Sequence, residues 1–117
     1  MPYLLLIVEP REQRSERTAE EGQQVYERME RFAEGLQARG MLKAVESLKS
    51  DAEGARVSLR SGKRSIVDGP FAEAKEMIGG FFLLDCRNLQ EAIAIAGECP
   101  AAEWATIEVR EVGPCYK

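Results

Sequence analysis

Two short segments of this chain are apolar at every position: residues 4–8 (Leu-Leu-Leu-Ile-Val) and residues 81–84 (Phe-Phe-Leu-Leu). A strand at a protein surface alternates apolar and polar side chains, because successive side chains point to opposite faces of the sheet. A run without alternation indicates a strand that is covered on both faces. The two runs therefore predict two central strands, over residues 2–9 and 81–86.

Helical patterns occupy two further segments. A capping-box pattern at residues 18–21 (Thr-Ala-Glu-Glu) precedes apolar residues at helical spacing, and Gly40 is placed to end that helix. A second capping pattern at residues 88–91 (Asn-Leu-Gln-Glu) opens another helix. The apolar stripes of the two helices are Val25, Met29, Phe32 and Leu36, then Leu89, Ala92, Ile93 and Ala96.

The remaining segments complete a recognisable order of elements. Residues 71–77 are predicted to form a short helix, which the glycines at 79–80 end before the strand at 81–86. Further strands are predicted over residues 41–49, 55–59, 63–67 and 104–112. An apolar strand, a helix and a strand thus occur once at each end of the chain, which predicts an antiparallel sheet with two helices on one face. The predicted architecture is a ferredoxin-like α+β sandwich, a single domain over residues 1–117.

This architecture leaves one face of the sheet without helices. Residues 4–8 and 81–84 are apolar on both faces, so an uncovered face would exceed the roughly 300–600 Å² of the largest apolar patch on a typical monomer. A second copy of the chain across a twofold axis is the simplest cover. We therefore predict a homodimer.

Composition excludes several classes of function. The chain has no histidine, which excludes Ser-His-Asp and Cys-His mechanisms and the usual Cys/His zinc site. Its 20 acidic and 16 basic residues give a net charge of -4, which argues against a nucleic-acid surface. No apolar run reaches the roughly 20 residues of a membrane-spanning helix, and the short apolar start does not resemble a secretory leader. Three widely spaced cysteines fit reduced thiols in a cytoplasmic protein: Cys86, Cys99 and Cys115.

Residues 68–81 combine a special turn with several charges. The structural interpretation is that Asp68 caps a short helix, that Glu73 and Glu76 are solvated, and that the glycines at 79–80 adopt unusual backbone angles. The functional interpretation is a pocket in which Asp68 lies beside a second carboxylate. Like-charge repulsion would keep one proton on such a pair and allow proton transfer near neutral pH.

The same segment resembles a known family. Asp68-Gly69-Pro70-Phe71, followed by Glu73, Lys75, Glu76 and Gly79-Gly80-Phe81, is similar to the signature of the DGPF-domain branch of the YCII-related family. Residues 3–7 and 107–110 resemble the first and last strands of that family. The resemblance implies a dimeric α/β barrel of ferredoxin-like subunits. It also implies an association with a sigma factor, because many members are encoded beside extracytoplasmic-type sigma factors.

The resemblance extends to the site in part. Related proteins place a histidine and an aspartate in a cleft; Asp68 matches the aspartate, and the histidine has no counterpart here. The predicted catalytic pair is Asp68 and Glu108. The predicted substrate-binding residues are Tyr3, Glu73, Lys75 and Arg110. These residues would act on a small organic molecule in a cleft near Asp68, by acid–base chemistry of the lyase or isomerase type, without metal or organic cofactor.

Other interpretations stay open at this point. An ion pair from Asp68 to Lys75 or Arg110, holding the hairpin to the sheet, is the favoured structural role of that aspartate. The chain would otherwise be a regulatory module that binds a sigma factor or another protein, or a dimeric scaffold without catalysis. Fold alone does not decide among them, since ferredoxin-like dimers host unrelated activities.

Overall fold

Two sheets and three helices make up the fold of the computed structural model, which describes residues 1–71 and 73–116. Four strands form an antiparallel sheet in the order β2-β5-β1-β6, and β3 and β4 form a two-stranded hairpin. The elements are β1 (Pro2–Pro10), α1 (Gln13–Glu16), α2 (Ala19–Ala38), β2 (Leu42–Ser47), β3 (Ala55–Arg60), β4 (Lys63–Asp68), β5 (Glu76–Asp85), α3 (Leu89–Glu98) and β6 (Thr106–Glu111). The predicted ferredoxin-like α+β fold is confirmed.

The core lies between the helices and one face of the four-stranded sheet. Leu5 of β1 and Leu84 of β5 are fully buried there, against Leu36 of α2 and Ile95 of α3. Burying each of these side chains contributes about 1.5–3 kcal/mol of transfer free energy. Within the described ranges, no helix is long and apolar enough to cross a membrane.

The capping box predicted at the start of α2 is confirmed, with both of its hydrogen bonds present. Thr18 Oγ1 accepts a hydrogen bond from the Glu21 N–H at 3.1 Å, and Glu21 Oε1 accepts one from the Thr18 N–H at 3.0 Å. The bond from the Thr18 backbone N–H is the main cause that lowers the pKa of Glu21. At the other end Gly40 has a φ of 73°, the left-handed conformation of a helix-terminating glycine.

The predicted stripe of α3 is correct for its two alanines and wrong for its larger members. Ala92 and Ala96 are buried, and Ile95 lies between them on the same face. Leu89 and Ile93 are 44% and 50% exposed. The small side chains of Ala92 and Ala96 let α3 pack closely against the sheet on the face that they share. Leu89 and Ile93 lie off that face and are exposed to solvent.

The short helix predicted over residues 71–77 is wrong for residues 71 and 73–77, and residue 72 lies outside the described residues. Strand β5 begins at Glu76 and continues through Gly79 and Gly80. Its pairing with β1 shifts register between Ile7 and Val8, so that Gly79 is the extra residue of a bulge. A helix of seven residues is marginal in water, whereas hydrogen bonds to β1 satisfy this backbone directly.

Among residues 1–71 and 73–116, no helix lies on the second face of the four-stranded sheet, which we call the open face. Leu4, Leu6 and Val8 of β1 point to this side and are partly exposed, as are Phe81 and Leu83 of β5. These are residues of the two apolar runs that predicted an uncovered face. The alternate residues of β1 and β5 are buried on the opposite face, so each apolar run supplies side chains to both faces of the sheet.

The motif residues 68–71 join the hairpin to the rest of the chain. The Gly69 N–H donates to the Gly54 carbonyl at 2.9 Å, and a Cβ at Gly69 would lie 1.8 Å from the Asp51 carbonyl oxygen. Phe71 is buried beneath Arg56, whose guanidinium carbon lies 3.9 Å from the ring centroid. The glycine and the phenylalanine of the motif are therefore structural.

Arg11 holds the same region from the end of β1. Its guanidinium donates two hydrogen bonds to the Asp51 carboxylate, one of them 2.7 Å from Nη1 to Oδ1. Its Nε donates to the Ala74 carbonyl at 2.7 Å. The Arg11 side chain therefore fixes the loop before β5 and the 3-10 turn Asp51–Glu53 to the main sheet.

We expect the fold to lose stability at high pH through two buried thiols. Burial raises the pKa of Cys86 and of Cys99 above the ordinary value of 9.0. Both thiols therefore ionise first in the unfolded chain, so their contribution is complete below about pH 9 and is lost as the pH rises further. The slope is up to about 1.4 kcal/mol per pH unit for each thiol.

Chemical denaturation between neutral and alkaline pH tests this expectation. The variant Cys86→Ala/Cys99→Ala should show a shallower alkaline loss than the wild type, even if its stability at neutral pH is lower. Cys115→Ala is the matched control, because Cys115 is exposed and its removal leaves both buried thiols in place. Equal alkaline slopes in all three proteins would contradict the assignment.

Candidate functional site

A cleft of about 930 Å³ lies between α2 and the main sheet, and we call it the α2 cleft. Its walls are largely apolar, with side chains that include Val25, Met29, Ala33, Leu42, Val45 and Phe82. Binding sites for small organic molecules commonly have volumes of roughly 300–1,000 Å³ and mostly apolar walls with a few polar groups. The size and lining of the α2 cleft fit that class of ligand.

One end of the α2 cleft carries a buried carboxylate. Glu9 continues the series of helix-facing residues in β1 and is 7% exposed. Arg14 of α1 donates to it from Nε to Oε2 at 2.9 Å and from Nη2 to Oε1 at 2.8 Å. A bidentate pair of this kind compensates a carboxylate whose burial alone would be costly.

The double glycine of β5 makes room for this pair. A Cβ at Gly79 would lie 1.7 Å from Glu9 Oε1 and 2.9 Å from Arg14 Nη2. A Cβ at Gly80 would lie 2.8 Å from the Glu46 carbonyl oxygen of β2. Neither glycine has a positive φ, so the expectation of unusual backbone angles is wrong. Both positions need glycine because other groups approach them closely.

Aromatic and cationic groups surround the same end of the cleft. The guanidinium carbons of Arg17 and Arg28 lie 5.6 and 5.3 Å from the Trp104 ring centroid, within the range of cation–π attraction. Arg17 also donates to Gln13 Oε1 at 3.1 Å. Arg14 is paired with Glu9, and Arg17 is the second guanidinium group that lines this end of the cleft. Arg17 also lies near Glu21 and helps to lower the pKa of that carboxyl group.

Further carboxylates line the cleft beyond its cationic end. Glu30 and Glu34 lie along α2. Glu46 of β2 pairs with Phe81, so its side chain is on the open face. In the part of the chain that the structure describes, no group of three or more Cys, Asp or Glu side chains could hold a metal ion.

The two predicted catalytic carboxylates lie on different sheets. Asp68 is exposed at the end of β4 and does not line the α2 cleft. Glu108 lies on β6 opposite Leu6, which places it on the open face, and it pairs with Arg110 at 3.8 Å. The predicted ion pair from Asp68 to Lys75 or Arg110 is wrong, because Asp68 forms no salt bridge among the described residues. The hairpin carries Asp68 in a sheet of its own, separate from the β6 edge.

The predicted substrate-binding residues are also dispersed. Tyr3 is buried on the helix-facing side of β1, and its hydroxyl donates to Glu111 Oε1 at 2.9 Å, which raises the pKa of Tyr3. Glu73 and Lys75 are exposed in the loop between β4 and β5. Of the two predicted catalytic and four predicted substrate-binding residues, a single chain brings together Glu108 and Arg110. Their catalytic and binding roles stay predictions.

Sequence reasoning missed Glu9 and Arg14. The sequence contained one indication of Glu9. In a strand that begins at Pro2, every second residue points to the same face, so Glu9 follows Leu5 and Ile7 on the buried side of β1. A charged residue in phase with buried ones indicates a buried carboxylate, which requires a nearby cation. The unbroken apolar run at 4–8 concealed this alternation.

Comparisons with known proteins support the resemblance to the YCII-related family. The family model described as the YCII-related domain matches residues 1–115. An uncharacterised protein of Rhizobium meliloti (strain 1021) is 37% identical over 67 residues, which are 57% of this chain and 54% of that protein. The chain thus spans about half the length of this curated relative.

Proposed function

The chain belongs to the YCII-related family, and from this premise we propose that it binds a small organic acid in the α2 cleft. The ligand's carboxylate would lie at the end formed by Arg14 and Arg17, and its apolar body between α2 and the sheet. The observation that carries this proposal is the combination of an apolar cleft with two guanidinium groups, those of Arg14 and Arg17, at one end. The proposed cleft differs from the one expected near Asp68.

The guanidinium groups retain capacity for a ligand. A guanidinium has five N–H donors, and Arg14 uses two of them on Glu9. Arg17 uses one on Gln13. Guanidinium groups bind carboxylates in a planar, two-point geometry that lysine does not offer. Thr18 and Ala19 at the start of α2 line the same region, where the helix dipole favours negative charge.

Acid–base chemistry of the lyase or isomerase type is the catalytic form of this proposal. Such chemistry requires a carboxylate of the protein next to the bound ligand. Glu9 is the buried carboxylate that lines the α2 cleft. A ligand carboxylate that engaged Arg14 would loosen its hold on Glu9 and free that group for proton transfer. Asp68 and Glu108 lie on separate sheets of one chain, and neither lines the α2 cleft.

The fluorescence of Trp104 provides the test. Trp104 is the single tryptophan of the chain and lines the α2 cleft. We expect titration with octanoate to shift its emission, and 1-octanol, the matched neutral compound, to bind about tenfold more weakly or worse. Arg17→Gln should reduce the affinity for octanoate and leave that for 1-octanol nearly unchanged.

A cleft-filling variant separates this site from nonspecific apolar binding. Ala33→Phe places a large side chain in the α2 cleft and should abolish the shift with both compounds. Ala94→Phe, at an exposed position of α3, is the matched control and should bind as the wild type does. Undiminished binding by Ala33→Phe would overturn the proposal. If octanoate and the same acids of shorter chain all leave Trp104 unchanged, the alternative of a regulatory module for a sigma factor or another protein is favoured.

We also propose that the chain forms a homodimer through the open face. Its partly exposed apolar side chains on β1 and β5 support this, as does the exposure of Ile78 at 46%. A stable pairing of two such faces would bury roughly 1,200–2,000 Å² in total. Sedimentation velocity at micromolar concentration should give the mass of two chains. A single-chain mass there would refute the homodimer.

A further inference from the structure

The β3–β4 hairpin, which we call the arm (residues 55–68), is almost entirely exposed. Every residue of its two strands is exposed except Ser58. The chain has a radius of gyration of 16.0 Å, whereas a compact domain of this length has about 13 Å. A two-stranded hairpin is marginally stable in water unless a further layer packs against it. The arm therefore lacks, within one chain, the layer that would stabilise it.

One side of the arm is apolar. Val57 pairs directly with Ile66, and Leu59 lies two residues further along the same face. These three side chains are 66%, 55% and 64% exposed, in that order. Contiguous exposed apolar side chains on a projecting strand pair indicate a contact surface, because natural proteins otherwise protect such strands.

The charge of the arm is opposite to that of the rest of the chain. It has four basic residues and one acidic residue, a net charge of +3, namely Arg56, Arg60, Lys63, Arg64 and Asp68. Because the whole chain carries -4, the residues outside the arm carry -7. The arm is therefore attracted to the body of another copy, while the two bodies repel each other.

The arm and the open face are also contiguous. A groove at the root of the arm is lined by Val8 and Ile78 of the open face, by Arg56 of the arm and by Phe71. A second copy seated on the open face would lie next to the root of the arm. The root of the arm therefore borders the contact that a second copy would make with the open face.

From these observations we propose that the arm grips the body of a second copy of this chain through its apolar side and its basic tip. The inference rests on the homodimer proposed above and goes beyond it, because it adds a contact outside the open face. Nucleic acid fits the arm less well as a partner, since the residues outside the arm carry -7 and would repel it. The arm contact should weaken with salt, because charges on exposed side chains are screened.

Two arm variants test the proposal through the dissociation constant of the dimer. Arg60→Glu/Lys63→Glu/Arg64→Glu reverses the charge of the tip, and Leu59→Ser/Ile66→Ser removes apolar contact. We expect each to raise the dissociation constant about tenfold or more, as loss of a well-packed contact or a complementary charge patch does. Leu89→Ser/Ile93→Ser on the exterior of α3 is the matched control, with side chains of similar exposure, and should leave it unchanged.

Hydrogen exchange supplies a measurement independent of the variants' folding. In the wild type, amides of residues 55–68 should exchange more slowly at concentrations where the dimer forms than at dilution. A wild-type monomer would overturn the homodimer and the arm contact together. A dimer whose affinity is the same in the wild type and in the tip variant, with concentration-independent exchange in the arm, would overturn the arm contact alone. The arm contact would also be overturned if the wild type bound a nucleic acid, the tip variant did not, and the two proteins had the same dimer affinity.

Discussion

Replacing Gly79 with alanine is expected to lower the free energy of unfolding by about 3 kcal/mol or more. The added methyl group would lie 1.7 Å from Glu9 Oε1, a distance that no structure tolerates. The carboxylate must move, and its two hydrogen bonds to Arg14 then break inside the protein. The cost combines overpacking with the loss of a buried ion pair.

Two further variants identify the cause of this loss. Glu9→Ala removes the group that the new methyl would meet. The double variant Gly79→Ala/Glu9→Ala should therefore lose less unfolding free energy than the sum of the losses of the two single variants. Gly35→Ala is the matched control in α2, where a Cβ meets nothing within 4 Å. It should raise stability by about 0.5–1 kcal/mol through helix propensity. Denaturant unfolding curves that show additive effects for Gly79 and Glu9 would refute the close approach.

Replacing Arg14 with methionine is expected to lower the free energy of unfolding by about 3 kcal/mol. Methionine matches the apolar stem of arginine but lacks the guanidinium group, so both hydrogen bonds to Glu9 are lost. The carboxylate, whose side chain is 9% exposed, then remains buried without its partner. The Arg14 side chain is 34% exposed, so water admitted on that side keeps the loss at the lower end of the range for buried pairs.

The partner variant and a surface pair make this measurement specific. Glu9→Leu/Arg14→Met replaces the whole pair by apolar side chains and should recover most of the lost stability. Arg87→Met is the control for a solvent-exposed pair, since Arg87 is 85% exposed and pairs with Glu91 four residues on. It should cost about 0.5 kcal/mol or less. Equal losses in Arg14→Met and Arg87→Met would show that the Glu9–Arg14 pair is not effectively buried.

Patterns of local origin predicted most of the elements. The capping box at Thr18 and the apolar stripe of α2 depend on residues within a few positions of each other, so the sequence reveals them directly. The end of β5 nearest the hairpin is different. Whether residues 76–80 form a helix or a strand depends on β1 and β2, which supply the hydrogen-bond partners from distant parts of the chain.

The candidate site depended on tertiary structure to a greater degree. The charged residues after Asp68 attract attention in the sequence, but the structure places Glu73 and Lys75 in an exposed loop and Glu76 at the start of β5. Glu9 and Arg14 are inconspicuous in the sequence because each is an ordinary charged residue near the end of an element. Their significance arises from a bulge at Gly79 and from the helix above them.

The amino-acid sequence by itself determined which segments form most of the strands and the two longer helices, and that the sheet has two apolar sides, because alternation and helical spacing are properties of neighbouring residues. Only the tertiary structure decided where a ligand fits. A cleft, a buried ion pair and a projecting arm are relations between residues far apart in the chain, and their energies depend on distances that no local pattern encodes.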